Sequence, residues 1–198
     1  DTLDRGLPAR LLPAEEDAPE QRTLRRDLHL LTDKKVLYVA NVGEEMLKSG
    51  APPPADVDAV AAREGAGVVT ICGDLEAEIA ELPPEERQAF LDDLGLAESG
   101  LQKLVRAGYD LLGLITFYTT VGPELRAWTI SEGTTAPSAA GKIHTDMERG
   151  FIRAEILHFK DFITAGGIAP AREKGLLRSE GKGYVMADGD IALFRFNV

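Results

Sequence analysis

The chain holds 198 residues, 44% of them hydrophobic, with a formal net charge of −11, enough for one substantial core or two small ones. Its single cysteine, Cys72, excludes an internal disulfide framework and fits a reducing cytoplasm, and no apolar run is long enough to span a bilayer. The acidic excess lies wholly in residues 1–112, with 12 Lys and Arg against 23 Asp and Glu, while residues 113–198 carry 10 of each; the first part therefore disfavours broad electrostatic wrapping of nucleic acid, and the second is free to present a local basic face. The first residues show no signal-peptide pattern. Asn occurs only at 41 and 197 and Gln only at 21, 88 and 102, a scarcity of labile amides that fits a heat-adapted source.

Residues 1–31 read as a loop followed by a helix with Leu24, Leu28 and Leu31 on one stripe. Val36–Ala40 is a near-continuous apolar run, the pattern of a strand buried on both faces of a parallel sheet. The prolines of Ala51–Ala55 demand a loop. A short helix over Asp56–Glu64 and a second buried strand over Gly67–Cys72 complete a β-loop-α-β order and imply a parallel α/β sheet. Leu75, Ile79 and Leu82 share a helix face with Glu76, Glu78 and Glu81 outside, and Glu85–Leu94 forms another helix closed by Gly95. Ser99-x-x-Gln102 has the form of a capping box opening a helix with Leu101, Leu104, Val105 and Leu112 turned inward. From Gly113 the texture becomes β-branched and aromatic. Strands are expected over Leu114–Thr120, Leu125–Ile130 and Phe151–Phe159, and a hairpin of Tyr184–Ala187 with Ile191–Phe196 about Asp188-Gly189. Short helical pieces fall around Thr135–Ile143, Asp161–Thr164 and Ala169–Lys174. A small mixed sheet with one crossing helix suggests a β-grasp fold.

One stretch carries more chemistry than the rest. The apolar run Val36–Ala40 delivers Asn41, and Glu44 follows three residues on. This is the layout of the base-reading loop of P-loop nucleotide-binding proteins, with Glu where a guanine reader carries Asp. No G-x-x-x-x-G-K-[ST] phosphate loop occurs in the sequence. That absence, and a start at Asp1 rather than Met, set the expectation of a C-terminal part of a larger ATPase or GTPase.

Over nearly its whole length the chain resembles the C-terminal part of the YchF-type, Obg-like ATPases, of the translation-factor class of P-loop NTPases. The residues that carry the resemblance are Leu30-Leu31-Thr32-Asp33-Lys34-Lys35-Val36-Leu37-Tyr38-Val39-Ala40-Asn41-Val42-Gly43-Glu44, Leu94-Gly95-Leu96 through Leu101, and Arg106-Ala107-Gly108-Tyr109. It continues through Arg126-Ala127-Trp128-Thr129-Ile130, Ala139-Ala140-Gly141-Lys142-Ile143-His144-Thr145-Asp146, Gly150-Phe151-Ile152-Arg153-Ala154, Asp188-Gly189-Asp190 and Phe194-Arg195-Phe196-Asn197-Val198. The resemblance implies an α/β protein in which residues 1–35 end a helical, coiled-coil insertion, residues 36–112 form the C-terminal part of a P-loop G domain, and residues 113–198 are a β-grasp, ubiquitin-like TGS domain.

In guanine-specific members of that class an Asp carboxylate accepts hydrogen bonds from guanine N1–H and N2. Adenine would leave that carboxylate unpaired, at a cost of about 1–3 kcal/mol. The extra methylene of Glu44 moves the acid, and Val42 stands where a Lys stem would cover the base. The resemblance therefore implies ATP preferred over GTP, with Asn41, Val42, Glu44, Cys72 and Gly73 about the base and the Cys72-Gly73 contact made by backbone. Taken alone, an N-x-x-E after a strand reads better as an ordinary loop at a sheet edge than as a base-reading loop. Cys72 reads also as a buried thiol ending a strand, and acidic Asp74 and Glu76 beside it argue against a nucleophile. His144-x-Asp146-x-Glu148 lacks the further ligands a metal site needs, so neither a metal site nor a catalytic residue is assigned to this chain. Lys142, His144, Arg149 and Arg153 are candidates for one cationic edge touching ribosomal RNA or a partner protein, or else a solvated turn. Trp128 reads as core rather than a base-stacking platform.

The implied function is a ribosome-associated protein that binds and hydrolyses ATP with Mg2+, the phosphate and metal ligands lying upstream of this chain. It would be cytoplasmic, monomeric and free of membrane contact, and the isolated chain would be inactive. The alternative is a non-catalytic adaptor that docks on the ribosome or RNA through the β-grasp module.

Overall fold

The computed structural model describes residues 4–12, 19–121 and 124–197; Asp1 and Val198, which entered the reading above, lie outside the described residues, as do residues 13–18 of the expected first loop. The chain divides into two compact units, Asp1–Leu111 and Leu112–Val198.

In the first unit, β1 (Leu37–Asn41) and β2 (Gly67–Ile71) pair in parallel, with Asn41 level with Ile71. They are joined by α2 (Glu44–Lys48), the proline loop and α3 (Ala55–Glu64). Next come α4 (Gly73–Glu81), α5 (Pro84–Asp93) and α6 (Gly100–Leu112). Apolar spacing explains α4: Leu75 and Ile79 sit one turn apart and are buried with Cys72 and Leu91 in a small core. α1 (Pro19–Asp27) precedes the sheet. The segment before it is tied down by Arg25, which donates to Ala9 O (2.8 Å) and to Asp33 Oδ1 (2.6 Å).

The capping box forms as the spacing predicts. The Gln102 N–H donates to Ser99 Oγ (3.1 Å) and the Ser99 N–H to Gln102 Oε1 (2.8 Å). Glu76 does not stand outside. Its two carboxylate oxygens accept from the N–H groups of Gly100 (2.6 Å) and Leu101 (3.0 Å), so the orphan donors of the first turn of α6 are met from α4 as well.

Two apolar faces expected inside, and a third apolar stripe, are open. In β1 only Ala40 is buried, and Val39 is 43% exposed, because the described sheet has two strands and β1 has a neighbour on one side only. On α6, Leu101, Val105 and Leu112 are 59%, 52% and 62% exposed, and Leu24, Leu28 and Leu31 are exposed too. A two-stranded sheet has too little surface to cover these stripes.

The second unit closes its own core. β3 (Leu114–Val121) and β4 (Glu124–Ser131) form an antiparallel pair in unbroken register. α7 (Ala136–Ile143), α8 (Thr145–Arg149) and β5 (Phe151–His158) follow, then α9 (Phe159–Ala165), α10 (Ile168–Glu173), β6 (Arg178–Glu180) and β7 (Asp190–Phe196). The strand order is β4-β3-β7-β5-β6, with β3 and β7 parallel and the other pairs antiparallel. One face packs Phe117, Ile130, Ala154, Ile156, Ala192 and Phe194 against the small residues Ala136, Ala139 and Ala140 of α7. Phe117 meets Phe194 edge-on at 5.9 Å and stacks on Trp128 at 6.5 Å. On the other face Leu157 and Ile191 are covered by Ala171 and Ile168 of α10 and Phe162 of α9.

The expected hairpin about Asp188-Gly189 does not form. Residues 184–186 bond instead to the segment before α7: the Ala136 N–H donates to Tyr184 O and the Met186 N–H to Thr134 O. Gly189, at φ 80°, makes a turn whose Asp188 carboxylate accepts the Thr116 N–H (2.8 Å), which seats the start of β7 beside β3. β5 lies between β7 and β6, the latter in a stretch with no β pattern.

Gly150 packs against the end of the chain, where a Cβ would sit 2.1 Å from the Asn197 carbonyl oxygen. Gly150→Ala is predicted to cost about 1–3 kcal/mol through overpacking. Gly108→Ala, inside α6 with nothing within 4 Å of the added carbon, is predicted to add ~1 kcal/mol through helix propensity. Urea midpoints of the two variants should move in opposite directions; a Gly150→Ala variant as stable as the parent contradicts this packing.

Candidate functional site

The carboxyl ends of β1 and β2 lie side by side because the strands are parallel and in register. In open parallel sheets, that is the end from which loops build ligand sites. The loop after β1 begins at Asn41-Val42, and the turn after β2 is Cys72-Gly73, where α4 starts. A side-chain bond joins the two: the Gly73 N–H donates to Asn41 Oδ1 at 2.9 Å. The Val42 N–H donates to Ile71 O at 2.8 Å and extends the ladder by one step. Asn41 is exposed, so with Oδ1 held its Nδ2 amino group is left to donate outward.

The five residues proposed to surround a base are thus brought to one place, except for the acid. Glu44 stands in the first turn of α2, and its carboxylate meets Lys48 Nζ at 2.5 Å, one turn along the same helix. That surface pairing and the position of an anion at a helix N-terminus each favour this placement by about a few tenths of a kcal/mol. Cys72 is 3% exposed, with its thiol in the α4–α5 core. Only its backbone is free to face a ligand, and a nucleophilic role is excluded by burial.

Behind the strand, Tyr38 O–H donates to Glu64 Oε2 (3.0 Å) and Arg10 Nη2 donates to the same oxygen (2.5 Å). This ties β1 to the end of α3. The Arg10 hydrogen bond holds the Glu64 carboxyl below its ordinary pKa, and the bond to Glu64 raises that of the Tyr38 hydroxyl.

The four candidates for a cationic edge separate. Lys142 ends α7. His144 caps α8, its Nδ1 accepting from the Asp146 N–H (3.2 Å), and Arg149 lies 3.8 Å from Asp146. Arg153 is not with them. It shares its sheet face with Glu155, whose Oε1 it meets at 3.4 Å. Arg195 donates to the same oxygen at 3.2 Å, and Arg172 on α10 reaches Oε2 at 3.4 Å. Sequence reasoning missed this cluster. Residues 153, 172 and 195 share no local motif, and only the pairing of β5 with β7, which sets Arg153 opposite Arg195, brings them together. Among the described residues no group of three or more His, Cys, Asp and Glu is placed to hold a metal ion, and no helix is long and apolar enough to cross a membrane.

Comparison with known proteins places the chain among relatives. Residues 114–197 match the family model YchF-GTPase_C, described as a protein of unknown function (DUF933). The chain is 51% identical over 185 residues to the ribosome-binding ATPase YchF of Bacillus subtilis strain 168, covering 92% of this chain and 50% of that one. It is 48% identical over 200 residues to the protein of the same name from Escherichia coli O157:H7, covering 99% and 55%. The solved structure of the Schizosaccharomyces pombe YchF GTPase superposes with a TM-score of 0.80 at 30% identity, over 97% of this chain and 50% of that one. The chain spans about half the length of the curated relatives it matches.

Glu155 gives a test of the arginine cluster. The Arg195 hydrogen bond, ahead of that from Arg153, holds its carboxyl below the ordinary range. A depressed folded-state pKa means that the stabilisation is present above the unfolded value of about 4.3 and is lost as pH falls through the lower folded value. Glu155→Gln should therefore destabilise the chain at pH 7 and much less at pH 3. An equal loss at both values, in denaturant titrations, contradicts the ion pairing.

Proposed function

The chain belongs to the YchF family, and we propose that it is the base-binding and ribosome-docking part of a protein that binds and hydrolyses ATP. The observation that carries the proposal is the Asn41–Gly73 hydrogen bond across the ends of two parallel strands. It makes one continuous shelf of Asn41-Val42 and Cys72-Gly73, against which a purine ring lies. The outward Asn41 amide and the shelf backbone meet the edge of adenine. Glu44, kept on α2 by Lys48, is not presented as the paired acceptor that guanine N1–H and N2 require, so ATP is the preferred nucleotide and GTP the weaker one.

The phosphoryl chemistry belongs to residues outside this sequence. Mg2+ enters only as the ion that accompanies ATP, and none of the residues described here form a ligand set for it. What these residues do is hold the base and orient the nucleotide toward groups elsewhere in the protein. The open strand β1 and the exposed leucine and valine stripe of α6 support this division, since both are surfaces that further strands of a nucleotide-binding domain would cover. The exposed leucines at 24, 28 and 31 support residues 1–35 as the end of a helical insertion.

For residues 113–198 we infer a TGS-type β-grasp module. A mixed sheet with its first and last strands parallel at the centre, and one helix across a face, supports that reading. Its role is docking on the ribosome. The arginines around Glu155 also favour a purely adaptor reading, and the two are compatible within one protein.

Calorimetric titration of the intact protein tests the base site. ATP should bind more tightly than GTP, and Asn41→Ala should weaken ATP by about 5- to 30-fold, the equivalent of one hydrogen bond and its unpaired partner at 1–2 kcal/mol. Tighter GTP binding, or an unchanged affinity in the variant, contradicts the assignment. The isolated 198-residue chain should show negligible ATP hydrolysis; steady turnover would overturn the division of labour.

A further inference from the structure

Three guanidinium groups from three separate elements converge on one carboxylate. Arg153 comes from β5, Arg172 from α10 and Arg195 from β7, and all reach Glu155 within 3.5 Å. The Glu155 side chain is 14% exposed, against 52%, 60% and 50% for the arginines. The acid is therefore a half-sunk post and the cations form a rim about it that faces solvent.

One bidentate arginine is enough to satisfy a carboxylate. The other two add mutual repulsion, and Arg153 and Arg195 stand directly opposite each other across the strand pair, an arrangement that destabilises a sheet. The cluster carries two positive charges beyond what Glu155 neutralises. An anion with several acceptor oxygens, seated on the rim, would relieve that repulsion and accept the remaining N–H donors. Ser179, paired with Glu155 in the sheet, and Thr120, which lines a shallow cleft with Glu155 and Arg172, place hydroxyl-bearing residues beside it.

We propose that Arg153, Arg172 and Arg195 form the phosphate-contacting surface of this chain, and that its occupant is the sugar–phosphate backbone of RNA. This rests on the ribosome-docking reading and deepens it by naming the residues and the chemistry they recognise. Charge complementarity selects the occupant. The acidic excess of the chain lies in residues 1–112, while residues 113–198 are balanced at 10 cations and 10 acids, so a polyanion is attracted where cations are gathered and contact is confined to a few phosphates at this rim. The arginine fork matches phosphate oxygens in pairs. Recognition is of backbone position and not of base sequence.

The test uses the 198-residue chain and purified ribosomes, with binding measured by sedimentation across a series of salt concentrations. The wild-type chain should bind with a log–log salt slope that reflects about two to three phosphates at ~0.7–0.9 each. The double variant Arg153→Gln/Arg172→Gln, which leaves Arg195 on Glu155, should bind several-fold more weakly with a slope lower by one to two such steps. Arg126→Gln, on the opposite sheet face and paired with Glu124, should change neither. If the double variant does not fold, as read by thermal unfolding, Arg153→Lys/Arg172→Lys keeps the charge and should keep the slope. A wild-type chain that binds while the double variant retains its affinity and slope overturns this inference and leaves ribosome docking intact. Affinity lost at an unchanged slope points to a protein contact and overturns it equally. A wild-type chain that does not bind ribosomes contradicts the docking reading itself.

Discussion

A single side-chain to backbone hydrogen bond, Gly73 N–H to Asn41 Oδ1, joins the carboxyl ends of the two strands of the first unit, where the base site is proposed. It exists because two short parallel strands finish level with one another and because the residue at the end of β1 is the one amide in that region. An aliphatic residue at 41 would leave the first N–H of α4 without this partner and would release the turn from the strand. The shape of the shelf follows from that junction, while the Cys72 thiol beneath it is held by the apolar core with Leu75, Ile79 and Leu91 and Glu44 pairs with Lys48 on α2. The nucleotide chemistry proposed for the family member depends on it in turn.

The two units differ in how far they complete themselves. Residues 112–198 bury two apolar clusters on opposite faces of a five-stranded sheet, with aromatic residues at the centre of one. Residues 1–111 bury one small cluster and leave three apolar stripes open. At about 25 cal/mol per Å2 of apolar surface, open stripes of that kind represent unused stabilisation. The chain spans about half the length of the curated relatives it matches, in keeping with the proposal that further strands of a nucleotide-binding domain cover these stripes. The tie of Arg25 to Ala9 and Asp33, and the double capping of α6 by Glu76 and by Ser99 with Gln102, are the polar contacts that hold this unit where its core is thin.

Much of this was legible from local pattern. The runs at Val36–Ala40 and Gly67–Cys72 are strands within a residue, and the S-x-x-Q spacing forms its reciprocal bonds. These signals depend on nearest neighbours along the chain. What failed depends on partners far away. Asp188-Gly189 has hairpin chemistry, but the preceding residues bond to the segment before α7 and the turn serves a parallel strand. Leu101 and Val105 have core-facing spacing, yet each stays more than half exposed in the described chain. Glu76 reads as a solvated acid until α6 arrives beside it. Of the candidate site residues, Asn41, Val42, Cys72 and Gly73 are brought together, while Arg153 joins Arg172 and Arg195 rather than Lys142 and His144. Sheet register decides that, and it is not written in any window of the sequence.

The most direct measurement is a crystal structure of the intact protein with a non-hydrolysable adenine nucleotide. The purine ring should rest on the shelf, within hydrogen-bonding distance of the Asn41 amide and in contact with Cys72-Gly73, while Glu44 stays paired with Lys48. A ring bound elsewhere, or a Glu44 carboxylate swung in to bond the base, would contradict the account.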